Sequence, residues 1–230
     1  MLLTTFRDRV LKDNTIKVAP SLLAANFAKL ESEIRRIEEG GADLLHLDIM
    51  DGHFVPNISY GIPVVEAVRR VTKLKLDTHL MLNNPGEFLE PFCNAGADSL
   101  TFHLEATTDP GDLINRIKEL KLECGLAINP RTPIEKVLPF ICDLNLVLIM
   151  SVEPGFGGQP FLPEVLPKAS SLSAWMQEKN IDVTIEMDGG ISPANAKKCR
   201  QAGVNLLVAG SSVFGSNDAA AAIAAIRGQT

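Results

Sequence analysis

Eight short apolar runs alternate with eight amphipathic stretches along this chain, and that alternation constrains the fold more than any other feature. The runs fall at 17–22, 44–49, 73–80, 99–103, 123–128, 144–150, 182–187 and 205–209. Each is short enough for a strand buried on both faces. Between and after them, 25–39, 63–71, 85–95, 110–120, 133–141, 162–179, 193–202 and 218–227 carry helical spacing. Several of these open on proline, which the first helical turn accepts because its N–H has no partner there anyway. Glycine closes several helices ahead of a strand, as in "EEGGADLLHLDI", "CNAGADSLTFHL" and "RQAGVNLLVAG". A βα rhythm repeated eight times with no interrupting linker predicts a single-domain (β/α)8 barrel over 1–230. The rival, a doubly wound open sheet, calls for a glycine-rich dinucleotide turn after the first strand, and "APSLLAAN" is not one.

Composition narrows the partners. A formal charge of −6 disfavours nucleic acid, whose phosphates want basic surface. No stretch reaches the roughly 18 apolar residues of a membrane span. At the N-terminus, Leu3, Phe6 and Val10 predict a short amphipathic helix, and Arg7, Asp8 and Arg9 interrupt the apolar start too early for a secretion signal. The cysteines at 93, 124, 142 and 199 have no disulfide-like spacing and read as buried thiols of a reducing cytoplasm.

In a (β/α)8 barrel the chemistry gathers where the strands end. The second apolar run carries His46 and Asp48 two residues apart, hence on one face. His79 closes the third run, His103 the fourth with Glu105 beyond it, and Asp188 follows the seventh. One strand histidine is more often a satisfied core or rim residue than a ligand. Convergence of His46, Asp48, His79 and Asp188 suits a divalent cation, Zn2+, Fe2+, Mn2+ or Co2+, which would also relieve repulsion between the two aspartates. His103 and Glu105 are eligible too. Asp77 and Glu186 read either as partners that orient a ligand or as buried structural carboxylates. His53 reads as a loop histidine.

The loops after the sixth, seventh and eighth runs are rich in glycine: "SVEPGFGGQPF", "MDGGIS" and "VAGSSVF". Turns need glycine in any case, but three such loops on adjacent strands predict a phosphate cup. It contains no lysine or arginine, so backbone dipoles would do the binding.

The segments "VAPSLLAANFAKL", "LLHLDIMDGHFVPNISYG", "LDTHLM", "HLEAT", "SVEPGFGGQPF", "EMDGGIS" and "VAGSSVF" resemble, in order, the signatures of ribulose-phosphate 3-epimerases. The resemblance extends from about Val18 to Phe214, with Asn26 standing where the family more often has Asp. It implies interconversion of D-ribulose 5-phosphate and D-xylulose 5-phosphate in the pentose phosphate pathway and, in autotrophs, the Calvin cycle. It implies His46, Asp48, His79 and Asp188 as ligands of one divalent metal, and Asp48 and Asp188 as the acid/base pair. Substrate contacts are implied for Ser21, His79, Asp188, Met50 and Met81. Phosphate-loop positions are implied at Gly155, Phe156, Gly157, Gly158, Gly189, Gly190, Gly210 and Ser211. His103 and Glu105 are not ligands in the family. A cytoplasmic homo-oligomer acting on a small phosphorylated ketopentose is expected. The alternatives are a 3-epimerase of a hexulose phosphate such as allulose 6-phosphate, and a non-catalytic sugar-phosphate-binding barrel. An aldolase or decarboxylase would want a lysine at a strand end, whereas Lys73 and Lys75 stand at a strand start.

Overall fold

The alternating runs become eight parallel strands: β1 (Lys17–Pro20), β2 (Leu44–Met50), β3 (Lys75–Met81), β4 (Ser99–His103), β5 (Glu123–Ile128), β6 (Leu146–Met150), β7 (Thr184–Asp188) and β8 (Leu206–Ala209). This computed structural model describes residues 15–229, so the helix expected around Leu3, Phe6 and Val10 lies outside the described residues. Strand pairing follows the order β1-β8-β7-β6-β5-β4-β3-β2. The last seam, between β1 and β2, closes through a single bridge of Ser21 with His46, helped by the Asp43 N–H donating to the Val18 carbonyl at 3.0 Å. The result is a TIM barrel.

Helices α1 (Leu30–Glu39), α2 (Ile62–Val71), α3 (Leu89–Ala95), α4 (Pro110–Glu119), α5 (Leu166–Lys179), α6 (Pro193–Gln201), α7 (Ser211–Phe214) and α8 (Ala219–Arg227) surround it. Three of the expected helices begin instead with 3-10 turns, at Phe27–Lys29, Pro85–Glu87 and Pro163–Val165. The expected helix over 133–141 does not form. The chain there makes two 3-10 turns, Ile134–Val137 and Ile141–Asp143. Pro139 between them has no N–H to give, and its ring clashes with the preceding helical turn. That break leaves Cys142 exposed, and Cys93 is half-buried, so only Cys124 and Cys199 are the buried thiols expected of all four.

Each strand turns one set of side chains outward to the helices and the other into the barrel. The outward set is uniformly apolar where strands meet helices: Leu45, Leu47 and Ile49 on β2, Leu100 and Phe102 on β4, Val147 and Ile149 on β6. The inward set is divided. Ala19, Ala127, Leu146, Leu148, Leu206 and Val208 make one half of the interior apolar. The other half holds His46, Asp48, Asp77, His79, Ser99, Thr101, His103 and Glu186, all buried. Buried polar groups are costly without partners, so this half of the barrel needs an internal network or a ligand.

Candidate active site

The network starts at β2 and β3, which run side by side with Asp48 opposite His79 and His46 opposite Asp77. The His46 Nδ1 lies 2.7 Å from Asp77 Oδ2, and the Ser99 hydroxyl donates to Asp77 Oδ1 at 2.7 Å. With Nδ1 committed to that carboxylate, Nε2 of His46 faces the barrel axis. It is buried and has no hydrogen-bond partner. Around it stand Asp48 Oδ1 at 3.4 Å and Asp188 Oδ2 at 4.0 Å, and His79 Nδ1 lies 3.3 Å from Asp48 Oδ1. One donor atom from each of His46, Asp48, His79 and Asp188 lies within 4.8 Å of the other three. An orphaned imidazole nitrogen facing two carboxylates and a second imidazole fits a divalent cation.

Local chain geometry explains how Asp48 is aimed. The Ser21 hydroxyl donates to Asp48 Oδ2 at 2.6 Å across the β1–β2 seam. The loop after β2 folds back: the Asp48 N–H donates to the Tyr60 hydroxyl at 3.1 Å, and the Ser59 hydroxyl donates to the Asp48 carbonyl at 2.5 Å. Asp51 holds that loop by accepting the N–H groups of His53, Phe54 and, across to the β3 loop, Asn83 at 2.8, 2.9 and 2.7 Å. Sequence reading missed Ser59, Tyr60 and Asp51. Their signal, polar side chains spaced along the turn after an active strand, is too common to single them out.

The two aspartates are electrostatically unequal. Burial works to raise Asp48, but the His46 and His79 imidazoles outweigh it and hold the carboxyl well below the usual carboxylate range. At Asp188 burial and the neighbouring Asp48 charge act together and push the carboxyl up to about 7. Burial favours neutral imidazoles; His79 is pushed down to about 4, while at His46 the surrounding Asp48, Asp77 and Glu186 override it and raise the ring well above 6.5.

Glu186 forms a second acidic group with His46 and Asp77. Its Oε1 is 3.3 Å from His46 Nδ1 but out of line for a hydrogen bond, and both its oxygens are buried without partners. Burial and the Asp77 charge raise its carboxyl well above 4.5, which favours the neutral acid. Since His46 Nδ1 is already given to Asp77, this inner group offers no comparable set of free donors. Of the two carboxylates left open by sequence, Asp77 orients a histidine and Glu186 packs beneath it.

Above the four donors lies a cavity of about 340 Å3. His46 and His79 are fully buried and do not line it. Asp48 and Asp188 reach the surface of the cavity beside Ser21, Met50 and Met81. Its rim is the three glycine loops: Gly155, Phe156, Gly157 and Gly158 after β6; Gly189 and Gly190 after β7; Gly210 and Ser211 after β8. No lysine or arginine is among the described residues that line it. Met150, at the end of β6, is a third methionine in the wall that sequence reading left unassigned. It stands last in its strand, as Met50 and Met81 do in theirs. His103 lies outside the donor group, with Nε2 2.8 Å from His79 Nε2, and His53 is exposed in the β2 loop. Lys75, at the opposite end of the barrel, pairs with Glu123 at 2.5 Å.

Known proteins share the fold and, more closely, the sequence. Solved structures confirm the barrel alone: 3-hexulose-6-phosphate synthase from Salmonella typhimurium superposes with a TM-score of 0.69 at 13% identity, covering 93% of this chain and 98% of that one. Closer in sequence is the ribulose-phosphate 3-epimerase of Bacillus subtilis, 50% identical over 93% of this chain and 99% of its own length. The cytoplasmic isoform from Oryza sativa is 45% identical over 92% of each chain. The chloroplastic ribulose-5-phosphate-3-epimerase of Arabidopsis thaliana is 46% identical over 96% of this chain and 79% of its own. With the model of the ribulose-phosphate 3 epimerase family also matching residues 17–214, the chain belongs to that family and is an epimerase.

Proposed function

We propose that this epimerase interconverts D-ribulose 5-phosphate and D-xylulose 5-phosphate with one divalent cation held by His46, Asp48, His79 and Asp188. The observation that carries the reading is the four-donor group, whose Asp48 and Asp188 line a cavity rimmed by glycine loops. Two imidazoles with two carboxylates suit Zn2+ or Fe2+, and Mn2+ or Co2+ are compatible. Bound there, the cation supplies positive charge that offsets the Asp48–Asp188 repulsion and stabilises the oxyanion that develops beside the reacting carbon.

Inverting carbon 3, next to the ketone, requires a proton to leave one face and another to return on the opposite face. Asp48 on β2 and Asp188 on β7 reach the cavity from different strands, so one can take a proton while the other gives one. In one direction Asp48 takes the proton and Asp188 returns one. The reverse direction exchanges the roles. Ser21, hydrogen-bonded to Asp48, keeps that carboxylate aimed. Met50, Met81 and Met150 make an apolar wall that limits water at the flat enediolate. Backbone N–H groups of the loops at 155–158, 189–190 and 210–211 receive the phosphate. The pentose phosphate pathway, carbon fixation in an autotroph, a cytoplasmic location and homo-oligomeric assembly belong to the same proposal and rest on family membership.

The test is metal analysis of the purified protein with turnover assayed before chelation, after it, and on restoring Zn2+ or Fe2+. Turnover should vanish and return. Activity that persists without bound metal sinks the metal assignment, and preference for allulose 6-phosphate over ribulose 5-phosphate sinks the substrate assignment.

A further inference from the structure

We propose that Glu105 and His103 are positioning residues that set the tautomer of His79, keeping its Nδ1 free of a proton so that it can take the cation. The inference rests on the reading of His79 as a metal ligand.

The three side chains form a line. Glu105 Oε2 is 3.4 Å from His103 Nδ1, His103 Nε2 is 2.8 Å from His79 Nε2, and His79 Nδ1 is 3.3 Å from Asp48 Oδ1 in the donor group. Both rings are fully buried and inclined at 30° to each other, their centroids 4.9 Å apart, and the Phe54 ring covers His103 at 4.7 Å. No water-facing edge is left to absorb a change of tautomer.

With both rings neutral, proton counting along this line allows two arrangements. Nitrogens 2.8 Å apart share one proton, so one ring donates and the other accepts. If His103 Nδ1 carries a proton, its Nε2 is bare and accepts from His79 Nε2–H, and His79 Nδ1 is a lone pair. If His103 is protonated on Nε2 instead, His79 Nε2 must accept, and the His79 proton moves to Nδ1, where it blocks a metal. The second arrangement has its own attraction, because Asp48 Oδ1 is 3.3 Å from His79 Nδ1 and would accept that proton.

Glu105 decides between them. Its Oε1 accepts the Asn129 N–H at 2.9 Å and the Thr132 hydroxyl, which fixes the carboxylate. Although burial opposes its charge, the contacts with His103, Thr132 and Asn129 hold it ionised, at about 2. An ionised carboxylate only accepts, so it calls for a proton on His103 Nδ1 and thereby selects the metal-ready tautomer of His79.

Glu105→Gln tests the chain with a nearly isosteric side chain. Its carbonyl can stay on the Asn129 N–H and the Thr132 hydroxyl, which turns an NH2 donor toward His103 Nδ1 and reverses the demand. The zinc dissociation constant, measured by chelator competition, should rise about 10–100-fold. In a His103→Leu background, where the line is cut, adding Glu105→Gln should change zinc affinity no further, whereas independent structural effects would add. In the zinc-loaded unaltered protein, two-bond 1H–15N spectra of histidine should show His103 protonated at Nδ1 and His79 at Nε2. Either His103 protonated at Nε2, or equal zinc affinity in Glu105→Gln and the unaltered chain, overturns the relay while leaving the metal site standing. An unaltered chain that takes up no zinc overturns the metal reading, and with it this one.

Discussion

Asp188 and Glu105 show how a carboxyl group acquires opposite properties from its surroundings. At Asp188, burial and the adjacent Asp48 charge favour the proton; at Glu105, His103 and two loop donors favour its loss. Asp188→Asn keeps the shape at the end of β7 but has no proton to exchange and one fewer anionic donor. Epimerase kcat should fall by at least about 10^2–10^4-fold, the usual contribution of a positioned acid or base, in a steady-state assay. For Glu105 the consequence is pH-dependent stability. Its carboxyl sits at about 2 in the folded protein against an ordinary 4.5, so folding gains from its charge above pH 4.5 and loses that gain as pH falls toward 2. The stability gap between the unaltered protein and Glu105→Gln, taken from urea titrations, should therefore shrink between pH 5 and pH 2. The pairwise meaning of these residues was only partly legible. His46, Asp48 and His79 stand out in sequence as polar residues inside apolar runs. Nothing local places Glu105 in line with His79, because their strands had first to be neighbours.

Elements carry the next layer, and the loops after β6 and β7 show it best. Gly190 has φ +64°, and a Cβ there would meet the Phe161 nitrogen at 2.6 Å and the Gln159 carbonyl at 2.8 Å. Both contacts are backbone, so neither can swing aside. Gly190→Ala should cost about 1–3 kcal/mol of stability, read by chemical denaturation, and raise KM for the sugar phosphate by displacing one rim loop from the other. Strand number and spacing were legible because short apolar runs punctuated by glycine and proline are local signals. Boundaries shifted by one to two residues at most strands: β2 extends to Met50 and β3 to Met81, which carries both methionines to the cavity wall. The helix expected over 133–141 failed at Pro139, where helical spacing of apolar residues was outweighed by a missing N–H.

On the scale of the whole molecule, the barrel interior is half apolar and half polar, and the polar half converges on an imidazole nitrogen with no partner of its own. A cation bound only in the folded state must then stabilise folding by mass action. Raising free Zn2+ to 100 times its dissociation constant should add about 2.7 kcal/mol, seen as a rise in Tm that chelator reverses. A Tm indifferent to zinc and chelator would mean that the four donors hold no ion. The amino-acid sequence by itself determined the βα rhythm, the glycine loops and the polar residues in strand positions, since each depends on neighbours along the chain. It also carried the family signatures. The tertiary structure alone decided that β1 closes on β2 through Ser21 and His46, that Asp188 comes within 4.0 Å of His46 from the far side of that seam, and that His103 stands behind His79. Those contacts join residues 24 to 142 positions apart, and only the closing of the sheet into a barrel brings them within reach.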